Sequence, residues 1–263
     1  RDDCRDRSKG KPRPDRVGHE RSGDVAVTVE GTPTFTDGVG SSLTYSYTAG
    51  GDGLFVGTST VQPKTTSSVT FNGTALTILW DLNSTGVISV SGALMTSPDA
   101  GAHNVVATVD ASTTMASGAV GLTGLAAPVA SAHRTIYTAS DNAAGPLVTV
   151  ADSQNGDLVI DAAGAYFTPP IVVGSGQTSR VNDSAYAGSS RSMGISTEVA
   201  TGANTVMNWT GAGNTFNVTG AMALIAAAAG VTVWNQPSRF YNKICRPGSL
   251  SSRLDLLRTF PPG

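Results

Sequence analysis

The chain has 263 residues, enough to bury a substantial core as one large domain or two small ones. Hydrophobic residues make up 40% of it, as in a globular protein, but charged residues only 14% against a usual ~25%, with Gly, Ala, Ser and Thr taking up the difference. Residues 1–23 carry eight Lys/Arg against five Asp/Glu and residues 235–263 five against one, while the body between has four against thirteen, so most of the chain repels nucleic acid and anionic membrane.

Residues 1–23 are charged, Pro-containing and without periodicity, and read as an extended basic arm. The sequence opens on Arg1 rather than Met, which points to processing or trimming. From Val25 the texture changes to short β-branched runs broken by Gly, Asn and Asp: VAVTV, LTYSYT, GLFVGTSTV, SVTFNG, ALTILW, VISVSGAL, NVVATV and GAVGLTGL. Asn72-Gly73 between SVTF and TALTILW predicts a hairpin, because the pair supplies the positive φ angles of a type I′ turn. Ala127-Pro128 to His133 forms a joint, after which the same style returns in RTIYTA, PLVTV, DLVIDAAGAYF, PIVVG, TSRV, SMGIST, TVMNWT and FNVTGAMALI.

Only AMALIAAAA, and SSRLDLLRTF near the end, offer a helical period. The apolar run at 220–234 is shorter than the roughly 20 residues a spanning helix needs, and reads as a buried final strand. Beyond Trp234 comes a second basic arm.

Turn signals every eight to twelve residues and the lack of helix predict an all-β protein of antiparallel sandwiches. GAHNVVATVDASTTMASGAVGL at 101–122 also has a near-copy, GANTVMNWTGAGNTFNVTGAMAL, at 202–224, and GGDGLFVG at 50–57 echoes NGDLVIDA at 155–162. The expected organisation is an arm (1–23), a first jelly-roll-like unit (24–127), a joint (128–133), a second unit (134–234) and an arm (235–263). One larger sandwich built from both units is the alternative. Gly118-Ala119 and Gly220-Ala221 are expected where a strand passes close to another backbone.

NGDLVIDA, VGSGQTSRVN, STEVATGANTVMNWT and GAMAL, with SSVTFNGTALT and SGAVGLTGLAAPV in the first unit, resemble a family of β-sandwich proteins. That family is common among bacterial secreted proteins and in tailed-phage genomes, and the resemblance covers about residues 40–227. It implies a surface, fibre or capsid-associated module and brings no catalytic residues; neither basic arm is part of it.

Catalytic groupings are scarce. GxSxG and HExxH are absent, and His19, His103 and His133 have no reason to meet. Asp157 and Asp161 flank LVI; a half-buried strand would turn Asp161 to solvent, and the pair falls short of a glycosidase arrangement. Asp152, Asn155 and Asp157 gather oxygen atoms in a turn that either holds Ca²⁺ or closes as Asx turns. Five Asn-X-Ser/Thr sequons occur, at Asn72, Asn83, Asn182, Asn208 and Asn217. Cys4 and Cys245, one in each arm, are open to a mutual disulfide, to free thiols or to intermolecular bonds. Trp80 and Trp209 read as core, leaving Tyr166, Tyr186 and Trp234 as candidate sugar-stacking aromatics.

The function expected is therefore non-catalytic: a structural or assembly protein of a virion or cell surface, as phage capsid decoration, fibre or shell component. Its arms, through Arg5, Arg7, Arg13, Arg239, Lys243 and Arg246, would contact other copies or a lattice. A secreted carbohydrate-binding module is the alternative, and an icosahedral capsid protein with a basic arm facing nucleic acid is a third.

Overall fold

The computed structural model describes residues 26–62, 64–141, 145–166, 171–211 and 216–228. The chain divides into two compact units, Arg1–Gly230 and Val231–Gly263, and every described residue belongs to the first. Expectations for Cys4, Arg5, Arg7, Arg13, His19, Trp234, Arg239, Lys243, Cys245, Arg246 and the SSRLDLLRTF segment lie outside the described residues.

The protein is all-β and antiparallel. β1 (Thr28–Ala49), β2 (Gly53–Val61), β3 (Thr66–Phe71), β4 (Thr74–Ala75), β5 (Thr77–Ser84), β6 (Ile88–Thr96) and β7 (Gly101–Thr123) form one seven-stranded sheet. β1 runs beside β7 for nearly its whole length, while the other side of β7 is shared, Val105–Val109 going to β3 and Met115–Leu122 to β2. β6 and then β5 follow outward from β2. The register slips between Gly40 and Ser42 of β1, opposite Thr113 and Thr108 of β7, and such a bulge lets a long pair bend from one layer into a second. The Asn72-Gly73 hairpin forms as the sequence predicts, with both residues at positive φ between paired Phe71 and Thr74.

β8 (Tyr137–Ser140), β9 (Leu147–Val150), β10 (Leu158–Ala165), β11 (Val172–Val173), β12 (Thr178–Ser184), β13 (Ser192–Val199), β14 (Thr205–Thr210) and β15 (Asn217–Leu224) make two sheets, ordered β12-β13-β10-β15-β8 and β11-β14-β9. With β1 and β7 each divided at the register slip, the earlier strands pair in the same two orders, β5-β6-β2-β7-β1 and β3-β7-β1. The match extends to single residues. Gly53 opposes Leu122 and Gly57 opposes Gly118, while Leu158 opposes Leu224 and Ala162 opposes Gly220.

The core lies in three slabs. One fills the first half between its layers, around Leu43, Tyr47, Leu54, Val69, Phe71 and Met115. Smaller clusters around Val159 and Met207, and around Ala163 and Trp209, fill the second. The largest slab joins Phe55, Trp80, Ile88, Val90, Leu94 and Val120 to Ile160, Met193, Ile195, Val218 and Met222, so it lies between the halves. The two five-stranded layers thus meet face to face in reversed order: β5 lies against β8 and β15, and β1 against β12. A half-turn about an axis along the strands produces this arrangement.

A layer covered on both faces has no solvent side, so β10 and β15 are buried at every residue and β2 and β6 at all but the last. Hence the Gly, Ala, Ser and Thr: small side chains let stacked sheets approach, and buried hydroxyls bond one another, as Thr66 does Ser91 at 2.8 Å.

The apolar run from Gly220 begins as the buried strand expected: Gly220–Leu224 ends β15, and Ile225 and Ala226 continue extended, with the Ile225 N–H on the Ala132 carbonyl and Ala226 bridging Leu125. Two expectations are corrected. The GTPTFTDGVGSS segment between VAVTV and LTYSYT belongs to β1, since an edge strand tolerates Pro and Gly where no second ladder forms. Finally, what comes close to the two glycines is side chain rather than backbone. Added Cβ atoms would meet Val181 and Ile195 at Gly118, and the Trp80 ring at Gly220.

Candidate functional site

The expected aromatic candidates separate. Tyr186 is 1% exposed, its hydroxyl 3.2 Å from that of Ser59, and is no platform for a sugar. It was drawn inside by the 3-10 turn Tyr186–Gly188, which packs on β1 and β7. Tyr166, 37% exposed at the end of β10, is a surface residue. Its ring meets Phe216 edge-on at 6.3 Å, and the Arg191 guanidinium stands 4.2 Å from its centroid. Only Tyr166 and Arg191, which chain position does not connect, give the described surface an aromatic–cation pair.

The turn at 152–157 is closed from within. Asp157 forms an ion pair with Arg134, whose Nε lies 2.7 Å from Oδ2, and the same oxygen accepts the Gln154 N–H at 2.8 Å. Asp152 Oδ2 accepts the Thr135 N–H at 3.0 Å. The carboxylates therefore hold the start of the second half against its first turn, and Asp157 raises the Arg134 pKa through its hydrogen bond. Among the described residues no three His, Cys, Asp or Glu side chains gather as metal ligands do.

Asp161 is the main surprise. Expected at the surface, it is fully buried, and its carboxylate accepts the Ser196 N–H and hydroxyl on Oδ1, both at 2.8 Å, and the Trp209 indole N–H on Oδ2 at 2.7 Å. Burial pushes its pKa up to about 7, against the three donors that favour the charged form. The cluster bonds β10 to β13 and ties the two layers of the second half through Trp209; Gly194 makes room for the indole. Ser196 also receives the Gln177 amide at 2.7 Å, and Gln177 Oε1 accepts the Asn208 N–H.

An open depression of about 320 Å³ lies over Leu158, Gly176, Arg180, Thr197 and Glu198. Arg180 spends its Nε on the Thr197 hydroxyl at 2.8 Å, and burial lowers its pKa while raising that of Glu198. His103 and His133 stand apart: His103 Nε2 donates to the Ala100 carbonyl and His133 Nδ1 to that of Arg134.

One grouping was illegible in the sequence, because its members lie in different halves. Asp37 of β1 accepts the Ala187 N–H and stands near Asp183 of β12. The Asp183 pKa is pushed up to about 6, first by burial and then by the Asp37 charge, and its Oδ2 is buried with no hydrogen-bond partner among the described residues.

Compared with protein-family models, with curated proteins and with solved structures, the chain matches none. Among the described residues no helix is long and apolar enough to cross a membrane.

Proposed function

We infer that the chain is a non-catalytic structural protein of a multi-copy assembly at a virion or cell surface, such as a phage capsid decoration, fibre or shell component. One observation carries this reading: the same strand-pairing order occurs twice, and the two halves share one apolar slab. Jelly rolls recur in capsid and lectin domains, where rigid stacked sheets present loops and edges to neighbours. Asp157 and Asp161 are spent on internal bonds, which is how a scaffold uses such groups. The resemblance of the quoted motifs to phage and secreted sandwich proteins points the same way. Basic arms on an acidic body add the attraction between copies that assembly needs. Electron microscopy and sedimentation of the purified chain across protein concentration and salt test it: ordered multimers are expected, and a monomer throughout would end it.

Glycan binding is the second reading, favoured by the exposed Tyr166, Phe216 and Arg191 group. Glycan-array binding lost on Tyr166→Ala would establish it.

A further inference from the structure

We propose that the free edge of β1 is the docking site for a strand donated by a second copy of this chain, residues 239–246, with Lys243 set against Asp37. This deepens the assembly reading above and rests on it.

β1 is 22 residues long, has β7 on one side and, among the described residues, no strand on the other. Such an edge presents a row of N–H and C=O groups to any incoming chain, and Lys, Pro or a covering element commonly protects it. Along residues 35–39 the protection is thin. Phe35 is 50% exposed and Val39 72%, and alternate residues of a strand share a face, so both stand beside Asp37. Phe35 opposes Gly118, whose face looks toward Val181 and Ile195, which places this trio at the rim of the gap between the halves. The edge is therefore apolar–acidic–apolar, with Asp183 and its unpartnered oxygen close to Asp37.

Charge complementarity selects the occupant. Of the four cations in the body, Arg134 is paired with Asp157, Arg180 bonds Thr197 and Arg191 covers Tyr166. The other Lys and Arg residues, Lys64 apart, lie in the two ends of the chain. The 1–23 end has a single large aliphatic residue, Val17, and little with which to cover Phe35 and Val39. In the other end Tyr241, Lys243 and Cys245 alternate apolar–cation–apolar with a period of two, the complement of Phe35, Asp37 and Val39. Direct pairing of two β1 edges about this point sets Asp37 against Asp37, which like-charge repulsion disfavours. Strand addition by a basic segment satisfies the backbone, the apolar pair and the carboxylates together.

Sedimentation velocity of the full chain, with circular dichroism to confirm the fold, supplies the test. Asp37→Lys and Lys243→Asp should each weaken self-association about tenfold, since reversal turns a charge attraction into repulsion. Mixing the two variants should restore it, because each then offers the other a matched partner. Association that survives both single changes overturns this docking site and leaves the assembly reading standing. Failure of the mixture to recover also overturns it, since only docking between copies is rescued in that way. A wild-type chain that stays monomeric overturns both.

Discussion

Asp161 illustrates how a single buried carboxylate ties stability to pH. Its three donors come from Ser196 and Trp209, and burial raises its folded pKa from the ordinary carboxylate range to about 7. Between those two values the folded chain keeps a proton that the unfolded chain has released, so stability falls as pH rises through that window and levels off above it. One group of this kind removes about 2 kcal/mol between pH 5 and 7. Asp183, raised to about 6, acts in the same direction. Urea unfolding of the wild type should accordingly show a loss from pH 5 to 8, and Asp161→Asn, which cannot titrate, should show a shallower one. Equal slopes for the two proteins would mean that Asp161 stays ionised in the fold. At fixed pH 8, Trp209→Phe removes the donor to Oδ2 and should cost about 2–3 kcal/mol, because a buried charged acceptor is left short of a partner.

The strands owe their closeness to glycine at particular places. The Trp80 ring of β5 lies over Gly92 of β6 in its own half and against Gly220 of β15 in the other, so one side chain locks three strands. Its indole N–H has no acceptor among the described residues, which makes Trp80 a packing element rather than a polar one. A Cβ at Gly220 would stand 2.5 Å from ring atoms, far inside contact distance. Gly220→Ala should therefore destabilise by about 3 kcal/mol through overpacking. Combined with Trp80→Phe, the loss should be smaller than the sum of the separate losses by about 1 kcal/mol or more, since the smaller ring vacates the space. Additive losses in denaturant titrations of the three variants would show that ring and glycine are not in contact.

Across the whole molecule, the halves are joined by burial more than by hydrogen bonds. Among the described residues no strand of the first sheet pairs with a strand of the second half; the link is one isolated bridge between Leu125 and Ala226, a few backbone bonds, side-chain bonds joining Ser59 with Tyr186, Ser84 with Asp141 and Asp37 with the Ala187 N–H, and the shared apolar slab. A half made alone would expose Phe55, Ile88, Val90, Leu94 and Val120, a contiguous apolar face of the kind that soluble monomers avoid. Residues 26–127 expressed alone should then aggregate or self-associate through that face, while co-expression with residues 128–228 should recover a soluble complex. A soluble, cooperatively unfolding monomer of residues 26–127 would show that the slab is dispensable.

Much of the build was legible in the sequence. β-branched runs between Gly and Asn turns specify strands locally, the Asn72-Gly73 pair specifies its own hairpin, and the Gly118/Gly220 and Leu122/Leu224 matches mark positions that prove equivalent in register. Local composition governs these features, so one-dimensional reading reaches them. It failed where burial depends on a distant layer. Tyr186 and Asp161 lie in segments with ordinary surface chemistry, and only the packing of the 3-10 turn on β1 and β7, and of Trp209 over β10, takes them out of water. The Asp37–Asp183 pair likewise exists because the sheets stack in reversed order and bring β1 over β12. Strand formation follows from neighbours along the chain, whereas which face is covered, and which charge is stranded there, follows from the stacking of one half upon the other.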